Sequence, residues 1–443
     1  MPHALKHPAR LVPLAFLVAI VLGTALLMLP HARTGDDAVP FIVALFTATS
    51  AICVTGLVVT DTATYWSGFG QAIILALVQV GGFGIMSGAT LLGLLVSRRL
   101  RLSTRLLAQA ETRGLALGDI VDVLRLVLVV TIVVQSLLAL WLVLALRFGH
   151  AEPWARALWK GVFHAVSAFN NAGFSTYPEG AARFATDALV LTPIMLGVVI
   201  GGIGMPVLHD LRKDVRHPAR WSLHTKMTLL GTTVLLVLGF AATLAFEWTN
   251  PATLGAFDPA TRLLHALFHS VMTRSGGFSA VPTDDLHDET IMVSYGLMLV
   301  GGGSAGTAGG IKVATFVVLL LIVWAEIRSE RDAVAFHRRV SADVQRLAVT
   351  VALMAASMVG LGTLVLLSLT DLPLRDVLFE VISAFATVGL STGITPDLPP
   401  AAQTVLVALM FMGRVGPVAL ATALALRSRT NPYRYPEERP IVG

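Results

Sequence analysis

Four short strings that end near a glycine recur along this chain, and backbone carbonyls in such strings can bind a cation. They are Ser-Ala-Ile-Cys-Val-Thr-Gly-Leu (50–57), Ser-Ala-Phe-Asn-Asn-Ala-Gly-Phe (167–174), Val-Met-Thr-Arg-Ser-Gly-Gly-Phe (271–278) and Ser-Ala-Phe-Ala-Thr-Val-Gly-Leu (383–390). Gly56, Gly173, Gly277 and Gly389 are 117, 104 and 112 residues apart. Glycine tolerates the backbone angles that turn successive carbonyls inward. Four copies predict one central pore with fourfold pseudo-symmetry.

Each string contains a candidate filter segment, in which carbonyl oxygens replace the hydration shell of a potassium ion. The segments are Val54-Thr55-Gly56-Leu57, Asn171-Ala172-Gly173-Phe174, Ser275-Gly276-Gly277-Phe278 and Thr387-Val388-Gly389-Leu390. The carbonyls predicted to bind K+ are those of Val54, Thr55, Asn171, Ala172, Ser275, Gly276, Thr387 and Val388. No segment contains a carboxylate. Acidic rings are usual in filters for divalent ions, so a monovalent cation is predicted.

The composition places these segments in a membrane protein. Of the 443 residues, 55% are hydrophobic and 13% are charged, whereas soluble domains carry about 25% charged residues. The single cysteine, Cys53, excludes a disulfide within one chain and a cysteine-based metal site. The net charge of +5 comes from basic residues between apolar runs, which is how membrane topology is encoded. Nucleic acid is therefore not a predicted partner.

The elements around the segments predict an all-α membrane protein of four covalently linked helix–pore loop–helix repeats around a central pore, with eight spanning helices and four re-entrant pore helices. The repeats are 1–112, 113–221, 222–338 and 339–443. The first helices are predicted at 9–30, 120–147, 224–247 and 342–370, and the pore helices at 41–52, 156–169, 259–272 and 373–385. The second helices are predicted at 68–97, 186–210, 289–327 and 400–427. The apolar run 11–29 is interpreted as a retained helix, not a signal peptide, because it is long enough to span.

Basic residues follow each repeat and set the predicted topology. They include Arg98, Arg99, Arg101, Arg105, Arg113, Arg212, Lys213, Arg328, Arg331, Arg427, Arg429, Arg434 and Arg439. Cytoplasmic segments carry an excess of Lys and Arg, so both termini are predicted to be cytoplasmic. The pore helices then enter from outside, and their C-terminal ends place partial negative charge at the filter.

Each second helix carries a glycine cluster that begins 25, 28, 24 and 24 residues after the filter glycine. The third cluster extends into 301–312, predicted to be an irregular loop inside the membrane, because glycine costs a helix interior about 1 kcal/mol relative to alanine. A phosphate cradle is a weaker alternative, since no Walker pattern is present and the flanks are apolar.

Three charged residues lie near the predicted pore. Arg414 is in the middle of a helix, where a charge costs at least about 2.5 kcal/mol. Two compatible roles stay open for it: an electrostatic barrier beneath the filter, and a tether between helices. Lys312 is predicted to snorkel toward the cytoplasm. Arg274 is predicted to support the filter structurally.

These strings resemble the Trk/Ktr/HKT superfamily of potassium transporters, and most closely its Ktr-type membrane subunits. The matching motifs are 49–57, 169–174, 273–278, 302–312, 386–393 and Met412-Gly413-Arg414-Val415-Gly416-Pro417. The resemblance implies a homodimer with one pore per subunit and a separate cytoplasmic ring of nucleotide-binding (RCK-type) regulatory subunits in a plasma membrane system. It implies a gate made by Gly302, Gly303, Ser304, Gly306, Thr307, Gly309, Gly310, Lys312 and Arg414.

The resemblance also bears on ion preference. All four filter glycines are present, a pattern that goes with potassium in this superfamily. One departure is Ser275-Gly276-Gly277, where Thr-Ala-Gly is more usual, and the missing side chain at Gly276 is expected to loosen the filter wall.

The predicted function is the pore-forming subunit of a potassium uptake system, with Na+ as a candidate activator. The alternative is a sodium-permeable or cation-coupled (Na+/K+ symport) secondary transporter. That class typically shows inverted repeats and polar midplane sites, whereas these repeats share one orientation and Glu247 and Glu326 fall at helix ends. No nucleophile–base pair or metal motif lies in the apolar runs, so an enzyme is not predicted.

Overall fold

The computed structural model describes residues 8–104 and 117–426, and nearly all regular structure in them is helical. Among the predicted cytoplasmic basic residues, Arg105, Arg113, Arg427, Arg429, Arg434 and Arg439 lie outside the described residues.

The helices recur four times in the same order. Each repeat has a long first helix, then a short helix, and then a third position that holds one helix or a pair of helices. The long first helices are α1 (Pro8–Leu27), α4 (Leu117–Leu144), α8 (Leu223–Glu247) and α12 (Ala342–Leu369). The short helices are α2 (Phe41–Ile52), α5 (Trp154–Phe169), α9 (Pro259–Met272) and α13 (Leu374–Phe385). The third position holds α3 (Gly68–Thr104), the pair α6 (Ala188–Ile203) and α7 (Met205–Asp214), the pair α10 (Asp288–Leu299) and α11 (Val313–Ile327), and α14 (Pro400–Leu426). An antiparallel hairpin, β1 (Val334–Ala335) and β2 (Arg338–Arg339), joins α11 to α12.

The short helices lie at the centre of the molecule. Each contributes a phenylalanine that is at most 1% exposed, namely Phe46, Phe163, Phe268 and Phe379. The long helices instead present apolar side chains outward, such as Val21, Leu137 and Leu364, which are more than 60% exposed. Exposed apolar surface on this scale marks contact with something other than water, as expected when lipid surrounds the long helices.

Among the described residues, four helical spans are long and apolar enough to cross a membrane by length and composition. They are Gly68–Gly88, Leu124–Gly149, Leu223–Glu247 and Ala342–Leu369, and the pair α6–α7 adds a fifth. The count of eight spanning helices stays a prediction.

The unbroken helix predicted over 186–210 is wrong. The structure has two helices there, bent by 95° at Gly204. Gly204 has a φ of +98°, and a Cβ at this position would collide with the carbonyl oxygen of Ser304. A distant segment of the chain therefore approaches so closely that α6 must end there.

A second break separates α10 from α11 at the segment 301–312, called here the glycine loop. Its neck is closed by the Gly301 N–H, which donates to the Ile311 carbonyl at 3.0 Å, and by the Ile311 N–H, which donates to the Leu299 carbonyl at 2.9 Å. The two ends of the glycine loop are thus neighbours, and the residues between them form a separate lobe.

Candidate ion pathway

The four filter glycines form a closed ring. A Cβ added to Gly56 would lie 3.2 Å from the Cα of Gly173, and one added to Gly173 would lie 2.9 Å from the Cα of Gly277. A Cβ added to Gly277 would lie 3.4 Å from the Cα of Gly389, and one added to Gly389 would lie 3.1 Å from the Cα of Gly56. Segments more than 100 residues apart in sequence therefore surround one axis in chain order.

Each segment has the same unusual backbone. The residue two positions before each glycine has a positive φ: +56° at Val54, +61° at Asn171, +88° at Ser275 and +48° at Thr387. The glycines themselves have φ values of +95°, +70°, +72° and +91°. Left-handed non-glycine residues cost about 1–3 kcal/mol each and persist only when their surroundings hold them. Four such residues at equivalent positions indicate a shared function of the backbone.

All sixteen predicted filter residues are brought together. The residues that follow the glycines, Leu57, Phe174, Phe278 and Leu390, are at most 3% exposed and anchor the segments in the core. The segments are separated by one or two residues from the C-terminal ends of α2, α5, α9 and α13, where helix dipoles place partial negative charge.

In three of the four segments, a serine of the preceding short helix forms a hydrogen bond to the segment backbone. The hydroxyl oxygens of Ser50 and Ser383 accept from the Gly56 and Gly389 N–H groups, both at 3.1 Å. The Ser167 hydroxyl donates to the Phe174 carbonyl at 2.8 Å. The third segment has Val271 at the equivalent position, so it lacks this support.

The glycine clusters explain how the third helices approach the segments. A Cβ on Gly81, Gly201 or Gly413 would collide with the carbonyl oxygen of the last pore-helix residue, which is Ile52, Phe169 or Phe385 respectively. Glycine at these three positions is therefore required for close packing. In the third repeat, Gly301 instead meets the carbonyl oxygen of Gly309, inside the glycine loop.

The glycine loop lies against the second repeat. The Gly303 N–H donates to the Gly202 carbonyl at 2.8 Å, and the Thr307 N–H donates to the Gly201 carbonyl at 3.0 Å. The Thr307 hydroxyl donates to Oδ1 of Asn171, a predicted filter residue, at 2.7 Å. The break at Gly204 makes room for this contact.

One end of the glycine loop contacts Arg274, directly before the third filter segment, and the other end contacts Ser275 within that segment. Nη2 of Arg274 donates to the Gly301 carbonyl at 2.6 Å, and the Gly309 N–H donates to Oγ of Ser275 at 3.1 Å. Nη1 of Arg274 donates to the Thr232 carbonyl of α8 at 3.0 Å. Arg274 therefore joins the chain directly before the third segment to the glycine loop and to α8.

Arg414 reaches the glycine loop from α14. It is 4% exposed, and its Nη1 donates to the Thr307 carbonyl at 2.5 Å. Its Nε and Nη2 have no hydrogen-bond partner within the described part of the chain. A buried guanidinium with one carbonyl partner is incompletely compensated. Arg414 therefore connects α14 to the glycine loop and places a buried positive charge beside it.

Lys312 does not snorkel. Its side chain is partly buried, and Nζ turns back to donate to the Ala308 carbonyl at 2.5 Å. The irregular backbone of the glycine loop leaves carbonyls without helical partners, and these compete with solvent for the ammonium group. The remaining predicted gate residues, Gly302, Gly303, Ser304, Gly306, Thr307, Gly309 and Gly310, all lie in the lobe beside the filter segments.

The expected loosening of the filter wall at Gly276 is not seen. A Cβ at this position would collide with Sδ of Met272 and would lie 3.2 Å from Cγ1 of Val198. Flexible methionine fills irregular gaps. The space of the absent methyl group is therefore occupied from the preceding helix.

One buried acidic residue was not predicted from the sequence to have a role. Glu380 of α13 is fully buried. Its carboxylate accepts from the Ser391 hydroxyl, from the Thr392 N–H at 3.2 Å and from the Thr395 hydroxyl at 2.9 Å. The sequence signal was an acidic residue within a pore helix, followed by Ser391 and Thr392 directly after Leu390. Glu380 fixes the chain that leaves the fourth segment.

We expect Glu380→Gln to lower the apparent melting temperature. An amide nitrogen in place of one carboxylate oxygen cannot accept these hydrogen bonds, and losing buried partners costs about 1–3 kcal/mol. Thermal unfolding of the purified protein measures this. Asp371→Asn, an exposed acid before the same helix, is the control, and an equal shift in both variants would contradict the assignment.

Among residues 8–104 and 117–426, no three His, Cys, Asp or Glu side chains are grouped so that they can hold a metal ion.

Comparisons with known proteins show which family this chain resembles. The model of the TrkH family, described as a cation transport protein, matches residues 1–431. The chain is 35% identical to the Ktr system potassium uptake protein B of Bacillus subtilis, over 98% of this chain and 97% of that protein. It is 32% identical to the potassium/sodium uptake protein NtpJ of Enterococcus hirae, with the same shares covered. The crystal structure of the potassium transporter TrkH from Vibrio parahaemolyticus has a similar fold, with a TM-score of 0.73, 17% identity and 97% of this chain and 86% of that chain covered.

Proposed function

Because this chain belongs to the TrkH family of cation transport proteins, we propose that it is the pore-forming subunit of a potassium uptake system. K+ would pass through the ring of filter segments down its electrochemical gradient. The family and its relatives are transporters, not enzymes. The ring of four glycines is the observation that carries the proposal, since it places equivalent backbone segments around one axis.

The filter would bind K+ through the carbonyls of Val54, Thr55, Asn171, Ala172, Ser275, Gly276, Thr387 and Val388. Carbonyl dipoles of this kind replace ion hydration without holding the ion too tightly. Positive φ values in each segment support this role, because they reorient the peptide groups that flank them.

The glycine loop and Arg414 would form the gate. The lobe is bonded to the second, third and fourth repeats at the same time, so moving it requires several bonds to break together. Glycine backbone can adopt more than one conformation with little steric cost. A regulator that shifts these contacts would open the pathway.

The assembly we propose has two copies of this chain and a separate cytoplasmic ring of RCK-type nucleotide-binding subunits. A relative named as protein B of a Ktr system supports a partnership with other subunits. The plasma membrane location, the cytoplasmic termini and the eight-span topology rest on the apolar helices and the basic segments between repeats.

A sodium-permeable or Na+/K+-coupled transporter is the second candidate, because one relative is named a potassium/sodium uptake protein. The proposal that Na+ activates transport rests on the name of the same relative. Flux into proteoliposomes under an imposed potential, with K+, Rb+, Na+ and Li+ compared, separates the two candidates. K+ and Rb+ uptake well above Na+ uptake supports the first candidate, and equal Na+ uptake supports the second.

We expect Arg414→Ala to raise K+ flux about tenfold in this assay. The substitution removes a charge-assisted hydrogen bond to the Thr307 carbonyl, worth about 1.5–3 kcal/mol, from the closed arrangement. It also removes positive charge from the cation pathway. Arg414→Lys, which keeps the charge, should stay near the wild-type flux. Unchanged flux for Arg414→Ala at equal protein content would exclude the barrier.

A further inference from the structure

The third filter segment is built differently from the other three. Where Ser50, Ser167 and Ser383 hold their own segments by side-chain hydrogen bonds, the third pore helix has Val271. In the other repeats a glycine of the third helix also packs against the end of the pore helix, but Gly301 packs against Gly309 instead. Two supports common to the other segments are thus absent from the third.

The glycine loop takes the place of these supports. The Ser275 hydroxyl accepts from the Gly309 N–H at 3.1 Å and donates to the Thr387 carbonyl of the fourth segment at 3.0 Å. A hydroxyl group can do both at once, because it has one hydrogen and two lone pairs. One side chain therefore joins the glycine loop, the third segment and the fourth segment.

Ser275 also has the φ that departs furthest from the left-handed helical value of about +57° among the equivalent positions. Its φ of +88° exceeds those of Val54, Asn171 and Thr387. It is fully buried, so water does not replace its partners. A strained residue keeps its conformation only while its contacts hold it, and one of these contacts belongs to a loop that we assign to the gate.

We propose that the Ser275 hydroxyl is a specificity-determining link, through which the position of the glycine loop sets the conformation of the third and fourth filter segments. The inference rests on the proposed function of the pore. When the lobe lies as in this structure, the Gly309 N–H fixes Ser275, and Ser275 fixes the Thr387 carbonyl. Without the Gly309 N–H or the Ser275 hydroxyl, that restraint is lost and discrimination between K+ and Na+ falls.

The test is a double-mutant cycle on the ratio of K+ to Na+ flux in proteoliposomes. Its members are the wild type, Ser275→Ala, the chain lacking residues 302–309, and the combination. Residues joined in one network give non-additive effects. We expect Ser275→Ala to lower the ratio about threefold to tenfold, the deletion to lower it by a similar factor, and the combination to lower it no further.

Three further variants serve as controls for the double-mutant cycle. Ser275→Thr keeps the hydroxyl and should restore the ratio. Ser275→Cys replaces Ser275→Ala if the latter does not fold, since a thiol is a weak donor and acceptor of similar size. Ser50→Ala is the matched control, because that hydroxyl holds a filter glycine without contacting the glycine loop. Its effect should multiply with that of the deletion.

An unchanged ratio in Ser275→Ala, or effects of Ser275→Ala and the deletion that multiply, would overturn this inference while K+ preference in the wild type still supports the pore. A wild type without K+ preference would instead overturn the proposed function itself. The two failures are therefore distinguishable in one data set.

Discussion

Deletion of residues 302–309 is expected to raise K+ flux about tenfold or more in proteoliposomes that lack any regulatory subunit, a change that corresponds to about 1.4 kcal/mol or more. The deletion removes the bonds of Gly303 and Thr307 to the second repeat and the carbonyl that Arg414 holds. An obstruction beside the filter would thereby be lost together with its attachments.

The neck of the glycine loop makes this deletion feasible. The Cβ position of Gly310 lies 3.3 Å from the nitrogen of Gly301, so the remaining ends can be joined with little displacement of α10 and α11. Size-exclusion profiles and melting temperatures serve as folding controls. A well-folded deletion variant with wild-type flux would show that the lobe is not the gate.

Gly56→Ser is expected to reduce the ratio of K+ to Na+ flux about tenfold or more. Gly56 has a φ of +95°, and its Cβ would collide with the carbonyl oxygen of Ala172 in the neighbouring segment. The backbone strain alone costs about 1–3 kcal/mol. The collision must push two adjacent segments apart, and carbonyl cages select ions by their size and dipole arrangement.

Gly35→Ser is the matched control for this variant. Gly35 has a similar φ of +104°, but nothing lies within 4 Å of its Cβ position. It therefore reproduces the backbone strain without the collision, and its flux ratio should equal that of the wild type. If Gly56→Ser retains wild-type discrimination, Gly56 does not belong to the filter.

Features that depend on local backbone chemistry were predictable from the sequence. The left-handed backbone at Gly56, Gly173, Gly277 and Gly389 was predictable because this conformation favours glycine and because the strings repeat. The bounds of α2, α9 and α13 were predicted to within a residue or two, because apolar runs and turn residues delimit these helices. The absence of Ser at position 271 was also visible in the aligned strings, although its meaning was not.

Features that depend on contacts between distant segments were decided by the tertiary structure. The end of α6 at Gly204 is set by the approach of Ser304, about 100 residues later. Met272 fills the space at Gly276, and the Ala308 carbonyl captures Lys312. Each of these partners is an ordinary residue in the sequence, with no signal of its own.

The sequence by itself determined the number of segments, their glycines and the charge of Arg414, because these are properties of residue type and spacing. The tertiary structure alone decided which segment the glycine loop supports, because the Ser275 hydroxyl meets Gly309 and Thr387 only after three separate parts of the chain have packed together. Hydrogen bonds of this kind act over about 3 Å, and a linear pattern does not record which groups come within that distance.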